Sequence, residues 1–176
     1  MFNLQPTLED DLVLISPLTE KDFESLFKVA SDPLIWEQHP IKDRYKKEVF
    51  QSYFDSALES KGAFLIYSKD NNELIGSSRY YDYDPLKSRI AIGYTFIAKA
   101  YWGGKYNGAI KKLMLDHAFQ FVDKVIFHIG PTNLRSQQAV LKLGAKKVGE
   151  EGYNGMLQYI YLIDRHEWKI ALNKHG

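Results

Sequence analysis

The sequence predicts an α/β protein, a central mixed β-sheet with helices on both faces. Three observations predict it. Three β-prone runs between residues 63 and 97 are separated by short polar turns, the pattern of an antiparallel meander. Helical periodicity precedes this block and returns after it. A nearly unbroken apolar run, Val125-Ile126-Phe127-His128-Ile129, then follows a helix, as a strand covered on both faces would. A meander followed by a strand–helix–strand crossover gives a mixed sheet.

The elements follow in order. Leu12 to Ile15 is a short apolar strand ended by Ser16-Pro17. Thr19 resembles a helix N-cap, with Asp22 three residues later in the place usual for Glu or Gln. Phe23, Leu26, Phe27 and Ala30 keep helical spacing until Asp32-Pro33 stops the helix. A second helix runs from about Lys46 to Ser60, its apolar face built on Phe50, Tyr53, Phe54 and Ala57, with Gly62 as its stop. Ala63 to Ser68, Leu74 to Tyr83 and Arg89 to Ile97 are strands joined by turns at Asp70-Asn71-Asn72 and at 84–87. Ala109 to Val122 is a helix apolar over a wide face, so it is expected to be deeply buried. Asn133 caps a helix through Leu143, and Gly144 stops it. Ala145 to Gly149 and Leu157 to Ile163 are the last strands, joined by a turn at Gly152-Tyr153-Asn154-Gly155. The order is β-α-α-β-β-β-α-β-α-β-β. No repeat, linker or low-complexity tract interrupts it, so residues 1–176 read as one domain.

Composition narrows the function. The chain carries 23 basic and 22 acidic side chains, a net charge of +1, which demands no polyanionic partner and gives no nucleic-acid-binding stripe. The densest basic stretch, Lys42, Arg44, Lys46 and Lys47, is interrupted by Asp43 and Glu48 and reads as a solvated helix entry. With no cysteine, disulfides, thiolate zinc sites and thiol nucleophiles are excluded. The five histidines show no metal-ligand spacing, so no metal is expected. No apolar run is long enough to span a membrane, and Met1 to Asp11 lack a signal-peptide pattern, so the cytoplasm is the expected location. Twelve Tyr, ten Phe and three Trp suit either a well-filled core or a broad ligand groove.

The strongest chemical feature is Tyr101-Trp102-Gly103-Gly104-Lys105-Tyr106-Asn107-Gly108, just before a helix. Backbone amides in such a loop, with the helix dipole behind them, suit phosphate, and Lys105 adds a charge. From these residues alone, a glycine-rich turn without a ligand reads equally well. A P-loop is excluded, because Ala109-Ile110 stand where Lys and a hydroxyl residue are required. A dinucleotide fingerprint fails on both spacing and context.

Trp102 to Asn107 resembles the acyl-CoA pyrophosphate loop of GNAT acetyltransferases, commonly written (Arg/Gln)-x-x-Gly-x-(Gly/Ala). Asn133-Leu134-Arg135-Ser136, Ala139-Val140 and Lys142-Leu143-Gly144-Ala145 are similar to the segment that follows it in the branch acetylating ribosomal-protein N-termini. Ser31 to Trp36 resembles that branch's first helical region. The resemblance covers roughly Leu12 to Leu162. Three positions depart from it: Lys105 and Asn107 replace small residues, and Ala91 stands where relatives often carry a Glu used as general base.

The resemblance implies direct attack of an amine on the acetyl-CoA thioester, with no covalent enzyme intermediate. It implies pantetheine along Ile92 to Ile97, with contacts from Phe96 and Ile97, and the pyrophosphate on Trp102, Gly103, Gly104, Lys105, Tyr106, Asn107 and Gly108. Ser136 becomes the thiolate partner, and Asn133 binds the cofactor or orients its turn; simple helix capping is the alternative for both. Asp82 is the leading candidate base, beside Glu37, His39 and a water chain. Trp36, Arg79 and Tyr80 become acceptor contacts, against ordinary core and surface roles. His117 and His128 read as structural. The acceptor is a small-molecule or peptide amine, and a homodimer through the C-terminal strands follows by analogy. Two other classes stay open: a non-catalytic acyl-CoA-binding or sensing module, and an interaction protein that binds no CoA.

Overall fold

The chain opens with a two-residue strand, β1 (Leu8–Glu9), laid antiparallel to β2 (Val13–Pro17). The structure is a computed structural model that describes residues 1–153 and 155–175. A 3-10 turn over Glu20–Asp22 starts helix α1 (Phe23–Ala30). There the Asp22 carboxylate accepts from both the amide and the hydroxyl of Thr19, at 2.7 and 2.9 Å. Asp32 then caps a single further turn, α2 (Pro33–Trp36), with Pro33 at its first position.

Helix α3 (Lys47–Ser60) ends at Lys61 rather than Gly62, because Lys61 itself takes the left-handed conformation at φ 52°. Gly62 is needed for another reason: a Cβ there would lie 2.4 Å from the Tyr80 carbonyl oxygen. Strands β3 (Ala63–Ser68), β4 (Leu74–Asp84) and β5 (Arg89–Ile97) form the expected meander. Helix α4 spans Tyr106–Ala118, three residues earlier at its start than the sequence suggests. Past Ala118 the helix tightens into a turn, the Gln120 and Phe121 amides donating to the His117 and Ala118 carbonyls three residues back.

Strand β6 (Lys124–Ile129), helix α5 (Leu134–Lys142), and strands β7 (Lys146–Tyr153) and β8 (Met156–Asp164) follow. The expected turn at 152–155 contains Asn154, which lies outside the described residues. A last helix, α6 (Arg165–His175), has no counterpart in the sequence reading. It is fastened by Trp168, whose indole N–H donates to Asp116 at 2.8 Å, and by the Arg165–Asp123 ion pair at 2.6 Å.

The eight strands make one sheet in the order β1-β2-β3-β4-β5-β6-β8-β7. Every pairing is antiparallel except β5 with β6, so the sheet is mixed. Alternation along the strands sends side chains to two cores. One face buries Phe64, Tyr80, Ile90, Ile92 and Phe127 under α4, joined by Val140 of α5 and Trp168 of α6. The other buries Leu65 and Phe96 under Leu26, Trp36, Phe50 and Phe54 of the first three helices. Helices therefore cover both faces. No helix among the described residues is long and apolar enough to cross a membrane.

Candidate active site

Strands β5 and β6 pair over only three residues, Arg89–Ala91 against Lys124–Ile126. Beyond them the strands part, and Gly93 to Ile97 face 127–130 across a cleft of about 650 Å³. The cause is local. In the β4–β5 ladder, Ser77 pairs with Phe96 and Arg79 with Gly93, so Tyr94 and Thr95 oppose Ser78 alone. This bulge bends β5, and Tyr94 takes the left-handed conformation at φ 52°. The bulge is tied down on both sides. The Tyr53 hydroxyl donates to the Tyr94 carbonyl, and Thr95 hydrogen bonds to Ser78 at 2.8 Å.

At the Ile97 end, a 3-10 turn over Lys99–Tyr101 delivers the glycine loop. Trp102 anchors it, its indole N–H donating to the Ile97 carbonyl at 2.7 Å, and the Arg135 guanidinium lies 3.7 Å over the indole ring. The first α4 bond runs from the Ala109 amide to the Lys105 carbonyl. The six amides of Gly103 to Gly108 therefore donate to no acceptor among the described residues. A Cβ at Gly103, Gly104 or Gly108 would meet no atom within 4 Å. Six free amides at a helix start form a ready anion cradle.

Across the cleft, the Asn133 side chain accepts from the Ser136 amide at 3.2 Å, so Asn133 caps α5. The Ser136 hydroxyl makes no hydrogen bond to a described residue and lines the cleft. Lys111, one turn into α4, also lines it and donates to the Thr95 hydroxyl. Burial without a carboxylate partner pulls its pKa from 10.5 down to about 7.

The Tyr94 end is polar and aromatic. The Tyr81 hydroxyl and His128 Nδ1 are 2.8 Å apart, and His128 Nε2 lies 3.2 Å from a Glu151 carboxylate oxygen. With His128 Nε2–H donating to Glu151, His128 Nδ1 is free to accept from Tyr81. Burial pushes the Tyr81 phenol well above its ordinary pKa, so it keeps its proton. His128 also stacks on Tyr153, ring centroids 4.7 Å apart. His39 and Arg44 form the opposite wall. Burial, with Arg44 and Arg135 nearby, lowers the His39 pKa to about 3 and keeps it neutral.

Of the residues singled out from sequence, the cleft brings together His39, Phe96, Ile97, Trp102, Gly103, Gly104, Asn107, Gly108, Asn133 and Ser136. Phe96 borders it by its backbone, since its ring is packed against Trp36 at 4.9 Å. Lys105 is exposed, and Tyr106 turns away to donate to Asp70 at 3.2 Å. Neither side chain lines the cleft. Trp36 is a core residue whose indole N–H donates to the Ala30 carbonyl. Tyr80 lies on the α4 face of the sheet, fully buried, its hydroxyl donating to the Met114 carbonyl. Arg79 is 3% exposed, stacked on Tyr94 behind the cleft. Asp82 and Glu37 are exposed and stand outside it.

The sequence reading missed Arg44, Tyr81, Lys111, His128 and Glu151. It took His128 as structural, whereas the ring joins Tyr81 to Glu151 inside the cleft. His117 does sit structurally, bonded to the Asn3 carbonyl at 2.8 Å and packed on Phe121. Ala91 is fully buried, paired with Tyr81 and Ile126.

A family model described as an acetyltransferase (GNAT) domain matches residues 13–146. The chain belongs to the GNAT acetyltransferase family. The uncharacterised N-acetyltransferase YoaA of Bacillus subtilis is 24% identical over 165 residues, 89% of each chain. A GCN5-related N-acetyltransferase from Brucella melitensis superposes with a TM-score of 0.82 at 16% identity, covering 94% of this chain and 81% of its own. RimJ of Mycobacterium smegmatis, solved in complex with CoA-disulfide, superposes at 0.68 and 16% identity, covering 96% and 93%. In this GNAT chain no group of three or more His, Asp or Glu among the described residues is arranged to hold a metal ion.

Proposed function

We propose that this GNAT protein transfers the acetyl group of acetyl-CoA to a primary amine, a protein N-terminus or a small molecule, by direct attack on the thioester. The observation that carries the reading is the row of six unpartnered amides, Gly103 to Gly108, opening onto the gap between β5 and β6. A diphosphate fits this cradle, and the open space above its glycines leaves room for it. The complex of Mycobacterium smegmatis RimJ with CoA-disulfide supports the same choice of ligand.

Acetyl-CoA supplies the activated acetyl group; the chain supplies everything else. The amides of Gly103 to Gly108 hold the pyrophosphate. The backbone of Phe96 and Ile97 offers a free strand edge for the pantetheine arm. The bulge at Tyr94 and Thr95 carries amides outside the β4 ladder, suited to polarising the thioester carbonyl. The incoming ammonium gives a proton to the Tyr81 oxygen as the Tyr81 proton passes to His128 Nδ1, and Glu151 steadies the imidazolium. As the C–S bond breaks, the Ser136 hydroxyl donates a hydrogen bond to the sulfur, which takes the second amine proton. The relay thus takes the role first given to Asp82.

One observation favours a second reading, a non-catalytic acyl-CoA-binding module: Ala91 occupies the position where relatives often hold a carboxylate. The first experiment is a calorimetric titration with acetyl-CoA, with CoA and ATP as controls, on the protein and on Gly104→Val. Gly104 is not in the left-handed region and a Cβ meets nothing there, so the variant folds. Micromolar binding abolished in the variant supports the loop as the site. No binding at high acetyl-CoA refutes both readings.

A further inference from the structure

Two guanidinium groups flank Tyr53 without a carboxylate between them. Arg44 lies 5.2 Å from the ring centroid and Arg79 4.9 Å. Arg79 is built into the fold: it donates to the Ser56 hydroxyl at 3.0 Å and the Tyr53 carbonyl at 3.1 Å, and its Nε has no partner. Arg44 has no hydrogen bond and no ion pair among the described residues, yet it rests on Trp36 and Tyr53 and lines the cleft. Burial is the main influence against its cationic form and lowers its pKa, helped by the Arg79 charge and opposed by Tyr53, Tyr94 and Asp43. A cation held in such a place without a counterion costs stability, and a fold tolerates that where a ligand supplies the missing charge.

The position separates this cation from the CoA phosphates. Trp102 ties the glycine loop to Ile97. Tyr53, under Arg44, is bonded to Tyr94. Three residue steps along the strand, roughly 10 Å, separate those two points. Arg44 therefore stands at the Tyr81–His128 end, where the amine arrives. Among the described residues no acid there pairs with Arg44: His39 is neutral, Glu37 and Asp82 lie outside the cleft, Glu151 is engaged by His128, and Asp43 acts on Arg44 without forming an ion pair.

We propose that Arg44 binds a carboxylate of the acceptor, so that the substrate is an amine that also carries a carboxylate, as a free amino acid does. The inference rests on the acetyl-transfer reading above and names its substrate class. Arg44 is a binding residue: it reads the anion, while Tyr81 and His128 handle the proton. Trp36 and Tyr53 hold its guanidinium in place, so a bidentate pair forms with little further ordering.

The test compares free amino acids, their carboxamides, short peptides and a polyamine as acceptors, following thiol release from acetyl-CoA in the protein and in Arg44→Gln. Arg44 makes no hydrogen bond among the described residues, so the substitution is expected to leave folding intact, which thermal unfolding checks. The expected result is a preference for carboxylates over carboxamides of tenfold or more. In Arg44→Gln that preference vanishes through a carboxylate KM raised roughly tenfold or more, with acetyl-CoA affinity unchanged and a much smaller loss for carboxamides. Equal use of carboxylates and carboxamides, preference for the polyamine, or equal losses for all acceptors in the variant would overturn it. If acetyl-CoA binds but no amine is acetylated, the transfer reading fails. Calorimetry of amino acids against the acetyl-CoA-loaded protein then decides the Arg44 site: binding lost in Arg44→Gln upholds it, and absence of binding removes it.

Discussion

Replacing Gly108 with Ala should raise the stability of the ligand-free protein and lower its affinity for acetyl-CoA. Gly108 is the third residue of α4, its φ is not left-handed, and a Cβ there touches no protein atom. Removing glycine's unfolded-state freedom at such a site stabilises by about 0.4–1 kcal/mol. For a chain of this length that corresponds to a rise in Tm of about 1–4 °C. The same methyl group projects where a phosphate would approach the free amides. Losing one charge-assisted hydrogen bond costs about 1.5–3 kcal/mol, or roughly 10- to 150-fold in Kd. Differential scanning calorimetry of the free protein and titration with acetyl-CoA measure the two effects separately. An unchanged Kd in both Gly108→Ala and Gly108→Val, with the fold intact, would refute the cradle.

Three further outcomes follow from the geometry. Tyr81→Phe, which breaks the link to His128, should lower kcat about 100-fold or more with acetyl-CoA affinity unchanged; undiminished turnover would remove the relay. Lys111→Met should flatten the dependence of stability on pH. In the folded protein Lys111 loses its proton near pH 7, while the unfolded chain holds it to about 10.5, so the unfolded state binds more protons in that window. Stability of the parent protein relative to the variant should therefore rise from pH 7 to 9 in urea unfolding, and a flat difference would contradict the burial argument. Tyr80→Phe should lower stability by about 1 kcal/mol, through the lost bond to the Met114 carbonyl, and leave turnover unchanged. A changed KM for the acceptor would return Tyr80 to the site.

What could be read from the sequence follows from how local each signal is. The turns of the meander and the Asn133 cap each sit within a few consecutive residues and form as expected, while the glycine loop is shorter than expected because α4 takes in Tyr106 to Gly108. Helix α6 escaped because Arg165 to Lys169 are almost all polar; Trp168 and the surface ion pairs Arg165–Asp123 and Lys146–Glu167 hold it. The acceptor end escaped for a different reason. Arg44, Tyr81, His128 and Glu151 come from four separate segments and meet only through the sheet.

Tyr80 and Tyr81 illustrate the parity problem. Neighbouring strand residues point to opposite faces, and nothing in the dipeptide says which face holds the cleft. The bulge opposite Ser78 decides it, and a bulge leaves little trace in composition. His128 sits in an apolar run that reads as wholly covered. It is covered, but by Tyr81 and Tyr153 rather than by aliphatic side chains.

The central claim is turnover, and one measurement tests it directly: mass spectrometry of amine panels incubated with acetyl-CoA and the purified protein, read against thiol release. The expected result is an N-acetylated amine formed in step with free CoA, and lost in Tyr81→Phe. Acetyl-CoA bound at the glycine loop, with no amine acetylated anywhere in the panel, would contradict it and leave an acyl-CoA-binding module of the same fold.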